Sequence, residues 1–180
     1  NFPASPFEAE GWLITGSRHG VYEDHKFIQP LEEFIRSIEQ EKIPLLGICF
    51  GHQIIAQALG GKVEKFSGGW SVGLKEYKWG NESIHLNAWH QDQVVKKPKK
   101  AKVLAENSFC KFAALSYGET ILTVQPHPEF THEVIKGLIE TRGKGRVPEQ
   151  LLDEALNNFE KKTSLNEIVA KFSSVLNGAR

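Results

Sequence analysis

PLLGICFGHQIIAQALGG, residues 44–61, is the stretch on which the fold turns. Its first part, Pro44 to Ile48, is a continuous apolar run of strand length, and the part from Phe50 onward has helical periodicity and closes on Gly60 and Gly61. No spacer separates the two, so the chain must pass from strand to helix at Cys49 itself. Gly47 and Gly51 stand two positions to either side, and small residues there let a strained strand-to-helix turn form without clash. A side chain at the apex of such a turn lies at a helix N-terminus, where unpaired N–H groups and the positive dipole end favour thiolate over thiol. The same turn offers the backbone N–H of Phe50 to an oxygen gaining negative charge on an attacked carbonyl.

Upstream, Trp12-Leu13-Ile14-Thr15 is a short apolar run ended by Gly16-Ser17, which suits a buried strand feeding a loop. In LEEFIRSIEQEK, after Pro30, residues Leu31, Phe34, Ile35 and Ile38 form one apolar helical face. Strand, helix, strand, helix implies a parallel α/β sheet with right-handed crossovers and its chemistry at the carboxyl ends of strands. Further on, GLKEYKW, SIHLNAW, AKVLAE, KFAALSY and ILTVQ read as short strands separated by turn residues, a β-rich insert. Helix returns in THEVIKGLIETR, PEQLLDEALNNFEKK and SLNEIVAKFSSVLNG. Ser164 and Glu167 have capping-box spacing, Gly178 marks the stop, and Leu165, Ile168, Val169, Phe172, Val175 and Leu176 form an apolar stripe for the domain or for a second copy of the chain in a homodimer. We expect one domain over 1–180, with a core at 1–141 and a helical extension at 142–180.

The 22 basic and 22 acidic residues cancel, so no global field favours nucleic acid or an anionic membrane, and a small molecule or a protein is the expected partner. No apolar run approaches the ~20 residues that span a bilayer, and NFPASPFEAE lacks a signal-like core. Two cysteines in unlike contexts point to a reducing compartment, hence the cytoplasm. The sequence has no methionine and opens on a proline-rich turn, from which we expect residues ahead of Asn1. KKPKKAK, residues 96–102, reads as a solvated charged loop.

A thiolate nucleophile needs a proton acceptor that later protonates the departing amine, and histidine, with a pKa of about 6.5, suits both steps. Of seven histidines, His127 directly follows the apolar strand ILTVQ, within Gln125-Pro126-His127-Pro128-Glu129. The prolines stiffen that loop, and Glu129 can hold one ring nitrogen while the other faces the sulfur.

GICFGHQ followed by HPE resembles the signature pair of class I glutamine amidotransferases, and the likeness covers roughly residues 11–140. The resemblance implies a flavodoxin-like, open, mostly parallel sheet flanked by helices. It also implies a Cys-His-Glu triad that breaks a γ-glutamyl amide through a thioester, with Cys49 as nucleophile, His127 as base and Glu129 as its orienter. By position it makes Gln53 a contact to bound glutamine, Gly16 or Ser17 in TGSRHG the second oxyanion donor after Phe50, and the backbone around Trp89, His90 and Gln91 in NAWHQDQV a grip on the substrate's amino acid end. The family domain normally has a further strand and helix before TGSRHG, which these 180 residues lack. TGSRHGVYED and WHQDQV look closer to the solitary γ-glutamyl peptidase-like branch than to a glutaminase subunit that hands ammonia to a separate synthetase. A catalytically lapsed binding module on the same fold is the reading of a different class.

The remaining candidates read as structural. Cys110, in SFCKFAAL, has no glycine-flanked turn; His52, one turn into a helix, packs or bonds backbone; His90 with Asp92 is too little for a metal site and shapes the substrate loop. His19, His25, His85 and His132 show no ligand spacing, so neither metal nor cofactor is expected.

Overall fold

The computed structural model describes residues 2–158 and 161–178. After a 3-10 turn at Pro6–Glu8 come β1 (Trp12–Ile14), α1 (Ile28–Gln40), β2 (Leu45–Ile48) and α2 (Phe50–Ala58). The insert follows as β3 (Lys62–Lys65), β4 (Ser71–Trp79), β5 (Glu82–His90), β6 (Asp92–Lys96), β7 (Lys102–Glu106) and β8 (Ala114–Tyr117). β9 (Ile121–Val124) then leads into α3 (His132–Leu138), which runs on as one π-helical turn to Gly143, and into α4 (Glu149–Leu156) and α5 (Leu165–Gly178).

A seven-stranded sheet of order β1-β2-β9-β8-β7-β4-β5 organises the chain. The expected flavodoxin-like α/β architecture is present, but parallel pairing is confined to β1, β2 and β9. From β9 outward every neighbour is antiparallel; β4–β5, β7–β8 and β8–β9 are joined by short connections that only antiparallel pairs allow, while β4 and β7 pair across the longer stretch that holds β5 and β6. β3 and β6 form a separate antiparallel ribbon. Neither stretch is among the strands expected from sequence, since β3 buries only Val63 and has no two-sided apolar pattern.

α1 and α2 cover one face. Ile35, Ile38, Ile54 and Ile55 are fully buried there against Leu45, Leu115 and Ile121. Pro30 sits inside the first turn of α1, where its missing N–H removes no helical bond. α5 covers the opposite face, with Ile168 fully buried among Ile48, Tyr77, Leu86 and Val124. Of the apolar stripe of α5, Ile168 and Phe172 thus pack on their own domain, while Leu165, Val169 and Leu176 stay largely exposed, Leu176 with its side chain against Gly11. Ser164 differs from its expected capping role. Its hydroxyl accepts from His85 N–H at 3.1 Å and its own N–H donates to His85 O at 2.7 Å, stapling the start of α5 to β5.

α4 lies on β4, and Gly73 makes the approach possible, since a Cβ there would stand 2.5 Å from that of Ala155. The expected helix from Pro148 ends at Leu156; its continuation at 159–160 falls outside the described residues. Both C-terminal helices are part of the layered fold. No helix among the described residues is long and apolar enough to cross a membrane.

Candidate active site

β2 is buried along its whole length between β1 and β9, and it delivers Cys49 to the carboxyl end of the parallel strands. Cys49 adopts φ 52° and ψ −102°, in the left-handed half of the map that L-residues rarely enter. The surrounding backbone holds it there. Its N–H donates to Val124 O at 2.9 Å, and its carbonyl accepts the first helical bond of α2, from Gln53 N at 3.0 Å. Both flanking glycines are obligatory: a Cβ on Gly47 would stand 2.8 Å from Gly51 C, and one on Gly51 only 2.0 Å from Ile14 O. Phe50, as first residue of α2, precedes that first intrahelical bond, so its N–H is left to face the turn.

The adjacent strand supplies the imidazole. Ile48 pairs with Val124, so the chain leaving β9 passes beside Cys49, and His127 follows within the Pro126–Pro128 loop. Asn87 on β5 fastens this loop. Its carbonyl accepts from His127 N at 2.8 Å, and its side-chain amide donates to Phe130 O at 2.8 Å. Phe130 stacks flat on the imidazole, with centroids 3.9 Å apart and planes 5° apart. On one edge of the ring, Nδ1 lies 2.7 Å from Oε1 of Glu129. The opposite edge faces Gly16 and Cys49: a Cβ on Gly16 would stand 2.9 Å from His127 Cε1, and 3.8 Å from both His127 Nε2 and Cys49 Cβ. Gly16 is therefore the space into which the two groups fit.

Burial alone would lower the pKa of His127, but the interactions with Cys49 and then Glu129 outweigh it and raise the value to about 9. His90 and His52 lie behind this site and behave oppositely. His90 is driven down to about 3 by burial and then by the charge of His127, and neither ring nitrogen has a hydrogen bond of ordinary geometry. His52 is also lowered to about 3, by burial and then by His90, and its Nδ1 bonds Thr123 Oγ1 at 2.8 Å, the packing role read from its place in the helix.

The other expected site residues surround this centre unequally. The amide nitrogen of Gln53 donates to Asp92 O at 2.9 Å and to Gln125 Oε1 at 3.1 Å, bracing the β5–β6 turn against β9. Trp89 turns its ring away, onto Trp70 at 6.1 Å and against Gly143, which leaves its backbone for any ligand contact. Gln91 uses its carbonyl to accept from Phe66 N at 3.2 Å. The hydroxyl of Ser17 accepts from His19 N at 3.2 Å in the loop after β1. That loop is latched to the β5–β6 turn by Tyr22, whose hydroxyl donates to Asp92 Oδ1 at 3.0 Å. Asn87, Thr123 and Tyr22 carry no signal in the sequence because each acts through a partner distant along the chain. The loop also gathers His19, Glu23 and His25, whose spacing in sequence shows no ligand pattern. Cys110 is buried, and burial raises its thiol to about 12, as a structural role requires.

Residues 8–141 match the model of the family described as glutamine amidotransferase class-I. γ-Glutamyl peptidase 4 of Arabidopsis thaliana is 30% identical over 178 residues, covering 91% of this chain and 69% of the relative. A glutamine-hydrolysing GMP synthase component of Methanococcus aeolicus is 35% identical over a shorter 117 residues, covering 57% of this chain and 62% of that protein. The chain spans about two thirds of the length of the curated relatives it matches. Among solved structures, the glutamine amido transferase from Methylobacillus flagellatus superposes with a TM-score of 0.84 at 17% identity, covering 99% of this chain and 80% of that one.

Proposed function

The chain belongs to the class-I glutamine amidotransferase family, and from that premise we propose that it hydrolyses the γ-glutamyl amide bond of glutamine or of a γ-glutamyl compound, with Cys49, His127 and Glu129 as catalytic triad. One observation carries the proposal: the buried imidazole of His127 has Glu129 on one edge and Cys49 on the other, with the bare backbone of Gly16 leaving room for the two groups to meet. In the first step the Cys49 thiolate attacks the γ-carbonyl carbon, and the N–H of Phe50 with that of Gly16 or Ser17 receives the oxyanion. As the C–N bond breaks, the His127 imidazolium gives its proton to the leaving amine, and a γ-glutamyl thioester remains on Cys49. Water then attacks the thioester, His127 takes its proton, and glutamate leaves as the thiolate returns. Glu129 keeps the imidazole in the tautomer and orientation that both transfers need. The backbone at Trp89, His90 and Gln91 holds the substrate's amino acid end, and Gln53 is a further contact to the bound glutamine.

A second reading, a glutaminase that passes ammonia to a separate synthetase, is favoured by the likeness to the GMP synthase component. Purified protein tested on γ-glutamyl dipeptides, against glutamine with and without candidate synthetases, separates the two. The lytic reading expects turnover of the dipeptides by the chain alone. An acyl adduct trapped on Cys49 and weighed by mass spectrometry identifies the donated group. Turnover by Cys49→Ala protein at the parent rate would overturn the Cys49 mechanism common to both readings, whereas no turnover together with a Cys49 that iodoacetamide labels no faster than Cys110 would favour a binding module.

A further inference from the structure

Past Gly16, the loop between β1 and α1 carries three side chains that the chemistry above does not use. His25 Nε2 lies 2.7 Å from Glu23 Oε2, and His19 Nδ1 lies 3.6 Å from the same oxygen. Taking one ligand atom from each residue, all three fall within 4.8 Å of one another. The two imidazoles meet edge to face at 4.1 Å, and Phe27 backs them both, stacked on His25 at 5.6 Å and edge to face with His19 at 5.9 Å.

A hydrogen-bonded pair accounts for Glu23 and His25. It does not account for His19, whose Nδ1 is turned to the same oxygen from beyond hydrogen-bond distance. Two imidazoles and a carboxylate converging on one point, with no thiolate, make a donor set suited to borderline divalent ions such as zinc and cobalt. With bonds of roughly 2.0–2.2 Å, a tetrahedral ion holds its donor atoms roughly 3.3–3.5 Å apart. The Glu23–His25 edge, now 2.7 Å, must then open by about 0.6–0.8 Å, while the His19–Glu23 edge at 3.6 Å is within about 0.3 Å of that spacing. Side-chain rotation supplies this, because the three side chains are 31%, 45% and 34% exposed and no strand or helix has to move. Arg18 Nε reaches His19 Nε2 at 3.4 Å, an exposed contact; its release lets His19 take the tautomer with a free Nδ1 lone pair.

We propose that His19 Nδ1, the Glu23 carboxylate and His25 Nε2 form a surface site for one borderline divalent transition-metal ion, with water completing its coordination. The ion would cross-link residues 19–25 in the same loop whose Gly16 faces Cys49 and His127.

The test uses the full chain as Cys49→Ser, which removes the competing thiolate, titrated with zinc against a chelating dye and with cobalt by visible absorption. The expected result is one ion per chain, a melting temperature that rises with zinc, and binding weakened at least about tenfold by His19→Ala and by His25→Ala, while His85→Ala binds as the parent. His25→Gln serves as a second variant, and melting curves without metal verify folding. No saturable binding up to millimolar zinc, or equal binding by the His19 and His25 variants, would overturn the proposal.

Discussion

Two cysteines lie in the same apolar cluster, both buried, and the fold treats them oppositely. Cys110 closes a turn in which Asn107 Oδ1 accepts from the N–H groups of Phe109 and Cys110 at 3.0 and 2.7 Å; no imidazole stands beside its sulfur among the described contacts, and burial drives its thiol up to about 12. Cys49 sits at positive φ at the start of a helix, with His127 against it. The histidines repeat the lesson. His52, His90 and His127 are all buried, yet two are lowered to about 3 and the third, held between a sulfur and a carboxylate, is raised to about 9. Burial disfavours charge wherever it acts, and only a placed partner reverses the sign.

The largest effect separates the cysteines by activity. Cys49→Ala should lower kcat/KM on the best γ-glutamyl substrate by about 10⁴-fold or more, whereas Cys110→Ala should stay within about twofold. Equal losses would erase the distinction. Next, iodoacetamide at pH 7 should label Cys49 roughly a hundredfold faster than Cys110, read by peptide mass spectrometry of quenched samples.

A third effect concerns the neutral histidines. Their folded pKa values lie below the unfolded value of about 6.5, so the unfolded chain binds more protons as the solution acidifies. Their stabilisation is complete above about pH 6.5 and is lost as pH falls, by roughly 2 kcal/mol for each histidine at pH 5. His127 has the opposite sign, being stabilising below pH 6.5 and lost as pH rises through about 9, and its gain between pH 7 and pH 5 offsets only about 1 kcal/mol. Urea midpoints at pH 5, 6 and 7 should therefore fall steadily with acid. The smallest effect probes the orienter. Glu129→Gln removes the second influence that raises His127, so activity should drop about tenfold and the alkaline limb of the kcat/KM profile should move below 9.

What could be read from the sequence was what neighbouring residues dictate to each other. Gly47, Cys49 and Gly51 fix a turn by their own spacing, and His127 and Glu129 are two residues apart on a proline-stiffened loop, so both halves of the site were legible. The inner face of α5 was legible for the same reason, as a stripe at helical spacing. Long-range pairing was not. Asn87 gains its role only because β5 passes the His127 loop, Ser164 only because β5 reaches α5, and the ribbon of β3 and β6 is too short and polar for its pattern to betray it. His19, Glu23 and His25 meet because a loop without regular structure doubles back, which no periodicity announces.

Asn87, which clasps the His127 loop to the insert, has a consequence for how the protein is made. The thiol belongs to a segment that leaves the ribosome early, while its imidazole arrives only after β9 and is seated only once β5 is in place to hold it. Until the sheet closes, the thiol of a nascent chain has no imidazole seated beside it, so on the proposed mechanism an unfinished copy lacks its base.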